Sequence, residues 1–160
     1  MVKLNLKIIT QSEAKEGSYA EMALNLGVGC THGCKYCYGP VTVHRYPESF
    51  CREMTLKKDI EPRLLSDCKK LKEAGYTGRV LISHVTDPYQ PAEVEQKLTR
   101  RAIEIMNEHG INYQVLTKGG KLACRDFDLY KARGFIRSYI NYSRRRKNRY
   151  MGTWSCNTFR

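Results

Sequence analysis

Residues 27–40 read GVGCTHGCKYCYGP. Cys30, Cys34 and Cys37 fall within eight positions, three and then two residues apart, among Gly27, Gly29, Gly33 and Gly39. The glycines mark a loop rather than the interior of a helix or strand. Such a loop offers few apolar neighbours, which argues against three unliganded core cysteines. A zinc site needs four ligands, and His32, His44 or Cys51 would supply the fourth. Iron–sulfur clusters are also held by thiolates at this sort of spacing. Three protein ligands on a cubane leave one iron open to a substrate or cofactor, as catalytic metal sites do.

The rest of the chain sets the compartment in which these thiols work. The first residues, MVKLNLKIIT, alternate polar and apolar as a strand does, and lack the features of a signal peptide. No run of about 18 apolar residues predicts a membrane span. The expected location is cytoplasmic, where thiols stay reduced. Seven cysteines, an odd number, are then not a disulfide framework. The net charge of +12 suggests a nucleic-acid footprint. However, residues 137–160 hold seven Lys or Arg and no acid, so residues 1–136 carry 21 basic and 16 acidic residues, only +5.

Outward from the cysteines the pattern alternates between strand and helix. YAEMALNL (19–26) reads as a strand running into the cysteine loop, and a loop with Gly39, Pro40 and Pro47 follows it. Ile60, Leu64, Leu65, Cys68 and Leu71 recur at helical spacing between Asp59 and Ala74, with Gly75 at the stop. RVLIS (79–83) has the length and flanks of a buried parallel strand. Val94, Leu98, Ala102, Ile105 and Met106 predict one amphipathic helix closed by Gly110. NYQVLT (112–117) predicts a third strand, and residues 126–132 a short helix. Strand–helix alternation predicts an α/β fold with a parallel sheet and right-handed crossovers. Ligands in such sheets sit at the carboxyl ends of the strands. The cysteine loop, SHVTDPYQ (83–90) and LTKGG (116–120) are therefore expected at one edge. Cys51, Cys68 and Cys124 lack ligand spacing, and Cys68 is read as core. His84 is read as a packed histidine, with a position facing the site as the alternative, and Tyr89 as a ligand-stacking or rim residue.

Cys30-x3-Cys34-x2-Cys37, with Tyr36 before the last cysteine, resembles the signature of the radical S-adenosylmethionine (SAM) enzymes. LNLGVGCTHGCKYCYGP, VTDPYQPAE, LTRRAIEIMNEHG and VLTKGGKLACRDFDL look like the branch related to spore photoproduct lyase, over roughly residues 18–135. The resemblance implies a partial parallel (β/α) barrel in residues 1–136, incomplete at its C-terminus. Cys30, Cys34 and Cys37 would ligate three irons of a 4Fe-4S cluster, whose open iron would be chelated by S-adenosyl-L-methionine. Reductive cleavage of SAM would give methionine and a 5′-deoxyadenosyl radical, in lyase-like chemistry. Tyr36 would lie near the adenine, Lys118 would pair with the SAM carboxylate, and Thr86 and Asp87 would bind the amino acid moiety. The implied partners are an electron donor such as flavodoxin or ferredoxin and an unidentified substrate, with photolesion DNA suggested by the branch.

The family pattern stops near Gly134. Residues 137–160 form a basic tail instead of the expected strand–helix units. Read one base out of frame, residues 150–159 permit a W-E-P-G-A motif of the kind relatives carry, so a frameshift between about Phe135 and Tyr139 is the expectation. The chain would then be a truncated fragment, able to bind a cluster but with weak or no turnover. Two other function classes stay open: a non-catalytic zinc or iron–sulfur module, and a nucleic-acid-binding protein using the basic tail.

Overall fold

The computed structural model describes residues 4–11, 20–131 and 134–138, with residues 131 and 134–138 described through the backbone alone. Along the chain run β1 (Ile9–Gln11), β2 (Met22–Leu24), β3 (Gly27–Val28), α1 (Gly39–Thr42), α2 (Pro47–Arg52), β4 (Thr55–Leu56) and α3 (Ile60–Glu73). β5 (Arg79–Ile82), α4 (Pro91–Gln96), α5 (Leu98–His109), β6 (Asn112–Thr117), a 3-10 segment (Gly120–Lys131) and β7 (Gly134–Ser138) complete them. Among the described residues no helix is long and apolar enough to cross a membrane.

The main sheet has the order β1-β2-β5-β6-β7. β2, β5, β6 and β7 are parallel, and β1 is an antiparallel edge strand. The expected all-parallel sheet is thus mixed. β1 is held by Asp67 of α3, whose buried carboxylate accepts the backbone N–H groups of Lys7, Ile8 and Ile9 at 2.7, 2.7 and 2.9 Å. β3 and β4 form a separate antiparallel pair under the cysteine loop, which periodicity over so few residues does not announce.

The parallel strands succeed one another in chain order, without the reversal of a doubly wound sheet. One face carries the core. Met22 and Leu24, Val80 and Ile82, and Tyr113 and Val115 pack with Leu64, Cys68 and Leu71 of α3 and Ala102, Ile105 and Met106 of α5. The alternate residues Ala23, Leu81 and Gln114 form a cross-strand row that faces the other way. The described strands do not close into a barrel.

Helix α3 forms as its apolar spacing predicts. The second helix does not run unbroken: Lys97 adopts φ 54° and divides α4 from α5. The cause is the buried Glu93, whose carboxylate accepts the Thr99 N–H at 2.6 Å and so supplies a cap for α5. Thr99 Oγ1 in turn donates to the Pro88 carbonyl at 2.6 Å. The expected short helix at 126–132 is instead the 3-10 segment, which starts six residues earlier; Ala132 lies outside the described residues. The loop with Gly39 and Pro47 contains α1 and α2, each opened by a proline in its first turn, a position that costs no hydrogen bond. β7 continues the sheet through Ser138, two residues past the expected boundary, while the rest of the basic tail, 139–160, lies outside the described residues.

Candidate metal centre

The three loops that follow β3, β5 and β6 meet at one sheet edge. They enclose a cleft of about 290 Å³ lined by Cys30, Cys34 and Cys37 together with Tyr36, Thr86, Asp87 and Lys118. The three cysteines and the four residues that the resemblance assigns to SAM therefore all line one cavity. Among the described residues, no three His, Cys, Asp or Glu side chains form a group that could hold a metal ion as they stand.

The cysteine loop is shaped by close approaches. Cys30 N–H donates to the Phe50 carbonyl at 3.0 Å, which fixes the loop on α2. Gly29 has φ +101°, and a Cβ there would come 2.1 Å from the Glu53 carbonyl oxygen, so only glycine fits. Cys37 N–H donates to the Cys34 carbonyl at 3.0 Å, closing the turn between the second and third cysteines. Gly39 N–H reaches Cys37 Sγ at 3.4 Å, and a Cβ on Gly39 would sit 3.2 Å from the same sulfur. This donor set fits a thiolate-bound cluster: three sulfurs on one loop, with a backbone amide directed at one of them.

Burial pushes the Cys30 thiol up to about 11, against the opposing effect of the His32 backbone N–H; the Asp87, Cys34 and Cys37 charges add to the rise. A metal must therefore displace a proton to bind there. His32 Nδ1 lies 3.5 Å from Cys30 Sγ. His32 and Cys51 line the cleft, so two of the three candidate fourth ligands for zinc are present; His44 does not line it.

Lys118 extends over the loop, its Nζ 5.2 Å from the centre of the Tyr36 ring. Burial works to lower its pKa, but the Cys34, Tyr36 and Asp87 charges and a hydrogen bond to Cys34 outweigh it, and the net direction is upward. The ammonium therefore stays charged inside the cleft. Asp87 ties the loops together: Oδ1 accepts the Tyr89 N–H at 2.9 Å and the Thr117 hydroxyl at 2.7 Å, and Oδ2 accepts the Lys118 N–H at 2.6 Å. Thr86 Oγ1 donates to the Gly29 carbonyl.

Several residues that matter here were not singled out by the sequence. Gln90, wholly buried, is the hub between the cysteine loop and the β5 loop. Its Nε2 contacts the Gly29 carbonyl at 3.2 Å, Thr86 Oγ1 at 2.7 Å and the Asp87 carbonyl at 3.1 Å, while its Oε1 accepts the Thr31 N–H at 2.7 Å. Asn25 Oδ1 accepts the His84 and Val85 N–H groups at 2.8 and 3.0 Å. Cys51, by contrast, is a candidate fourth zinc ligand from the sequence, and it joins the cleft from α2, fourteen positions beyond Cys37.

Two expectations are corrected. His84 is exposed in the cleft rather than packed, and Tyr38 donates its hydroxyl to the His84 carbonyl with the two rings 5.4 Å apart. Tyr89 is wholly buried and covers no rim. Its hydroxyl donates to Asp126 at 3.0 Å and contacts the Tyr130 hydroxyl at 2.8 Å, and burial first, then these neighbours, raises its pKa. Cys68 is buried in the core as expected, and burial pushes its thiol up to about 12.

No family model matches the chain, and no solved structure matches it. The chain is similar to the uncharacterized protein MJ0683 of Methanocaldococcus jannaschii, with 31% identity over 112 residues. The match covers 70% of this chain and 40% of that protein, so the chain spans less than half the length of its curated relative.

Proposed function

We propose that the cleft is a radical SAM centre, in which Cys30, Cys34 and Cys37 hold a 4Fe-4S cluster and Lys118 receives the SAM carboxylate. The observation that carries the reading is the convergence of the three cysteines, Tyr36, Thr86, Asp87 and Lys118 on one 290 Å³ cavity from three loops far apart in sequence. When bound, the cluster and SAM together would supply a 5′-deoxyadenosyl radical for hydrogen abstraction. The chain's own residues bind and orient. Gly39 N–H stabilises negative charge on Cys37 Sγ, and Lys118 places a cation where thiolates and a ligand carboxylate are to sit. Asp87, Thr86 and Gln90 hold the walls in register, so cofactor contacts by Thr86 and Asp87 would add to bonds already made within the protein. The in-order parallel strands with helices on one face suit a wall of the partial barrel that the motifs imply. The setting would be cytoplasmic, with a flavodoxin- or ferredoxin-like electron donor, and DNA is the substrate class that the resemblance suggests.

A zinc module is the second reading, favoured by His32 and Cys51 on the cleft wall. Anaerobic reconstitution with iron and sulfide separates the two. The radical SAM reading predicts brown protein whose iron and visible absorbance are mostly lost in each of Cys30→Ala, Cys34→Ala and Cys37→Ala, but kept in Cys68→Ala. Full iron retention in Cys34→Ala would sink it.

A further inference from the structure

Ser83, the residue after β5, has three properties that the fold does not account for. Its backbone sits at φ 66°, in the left-handed region that disfavours every residue but glycine and, less strongly, Asn and Asp. It is only 2% exposed, and its hydroxyl has no hydrogen-bond partner among the described residues. And it lines the cleft with the three cysteines and Lys118. The conformation is held from both sides. Ser83 N–H donates to the Leu24 carbonyl at 2.7 Å, and the next two N–H groups are taken by Asn25.

Both features cost stability. A buried hydroxyl without a partner has lost its water and gained nothing, and a left-handed non-glycine residue carries strain. Glycine would fit this backbone more cheaply, and alanine would remove the orphaned oxygen. A hydroxyl both donates and accepts, so it suits a nitrogen or an oxygen of a guest equally well. Strain and an unmet polar group together on a cavity wall point to a bond that forms only when the cavity is filled.

We propose that Ser83 Oγ is a ligand-binding group, which completes its hydrogen bonding on a polar atom of the small organic molecule that occupies the cleft. Resting on the reading above, that molecule is SAM, and Ser83 supplies a contact additional to Lys118, on the β5 side.

The test compares the full-length wild type with Ser83→Ala and Ser83→Gly, measuring ligand-free melting temperature, iron content after anaerobic reconstitution, and SAM affinity by calorimetry. Ser83→Ala should melt at or above the wild-type temperature and Ser83→Gly higher still. Both should keep their iron and bind SAM about fivefold to tenfold more weakly, the loss of one hydrogen bond. Unchanged SAM affinity in Ser83→Ala overturns the proposal, as does a lower ligand-free melting temperature, which would show the hydroxyl satisfied within the fold. A wild type that keeps its iron but binds no SAM overturns the cofactor reading; the ligand-free melting temperatures then judge Ser83 by themselves.

Discussion

Lys118 and Gln90 show how differently two residues of one cleft can be legible. Lys118 follows a strand in a short segment, LTKGG, whose place at the sheet edge could be read from the alternation of strands and helices. Its position over Tyr36 follows from that topology. Lys118→Ala should weaken SAM binding by roughly 1.5–3 kcal/mol, the range for a hydrogen bond to a charged group, with iron content unchanged. Unaltered affinity would make the lysine a bystander. Gln90 carries no such sign, since a glutamine after VTDPY reads as an ordinary loop residue. Its role exists only once Gly29, Thr31, Thr86 and Asp87 are assembled around it. Gln90→Ala leaves the Thr31 N–H and the Gly29 carbonyl without this partner. It should cost about 2 kcal/mol in urea unfolding and speed iron loss from the reconstituted protein. Wild-type stability and iron retention would contradict the hub role. Cys51 lies between the two cases: its residue type makes it a candidate fourth zinc ligand, but ligand spacing along the chain is blind to a cysteine delivered by a neighbouring helix.

At the scale of elements, α3 and β6 were legible because their apolar periods match what they bury. The break between α4 and α5 was not. Val94 and Leu98 keep the helical spacing across it, and only the buried Glu93 shows why the chain bends. Glu93 is wholly buried, and its Oε2 has no hydrogen-bond partner among the described residues. Burial therefore raises its pKa above the usual 4.5, although Thr99 and Arg125 pull the other way. The folded state then binds this proton more tightly than the unfolded state does. The resulting stability is fully present below about pH 4.5 and is lost as pH rises through the raised value. Glu93→Gln keeps an acceptor for the Thr99 N–H and removes the titration. Its stability should fall less than that of the wild type between pH 4.5 and neutrality, measured by denaturant unfolding across pH. Parallel pH profiles for the two proteins would rule out Glu93 as the source.

For the molecule as a whole, the gathering of three distant loops at one edge was the strongest inference available from sequence, and the structure assembles those loops around a single cleft. It follows from a rule of connectivity: parallel strands put their following loops on the same side. The mixed edge was harder to foresee. β1 is three residues long, and its anchor, Asp67, lies on a helix some sixty positions away. The chain spans 40% of its archaeal relative, and the described sheet ends on β7 with no barrel closed.

The central claim is that three cysteines hold a cluster with one iron open to SAM. It is tested most directly by electron paramagnetic resonance of the anaerobically reconstituted, dithionite-reduced full chain, with and without SAM. The account predicts a reduced-cluster signal whose g-values shift when SAM is added, and whose shift is diminished in Lys118→Ala. A protein that takes up zinc in place of iron and gives no signal, or a cluster signal indifferent to saturating SAM, would contradict it.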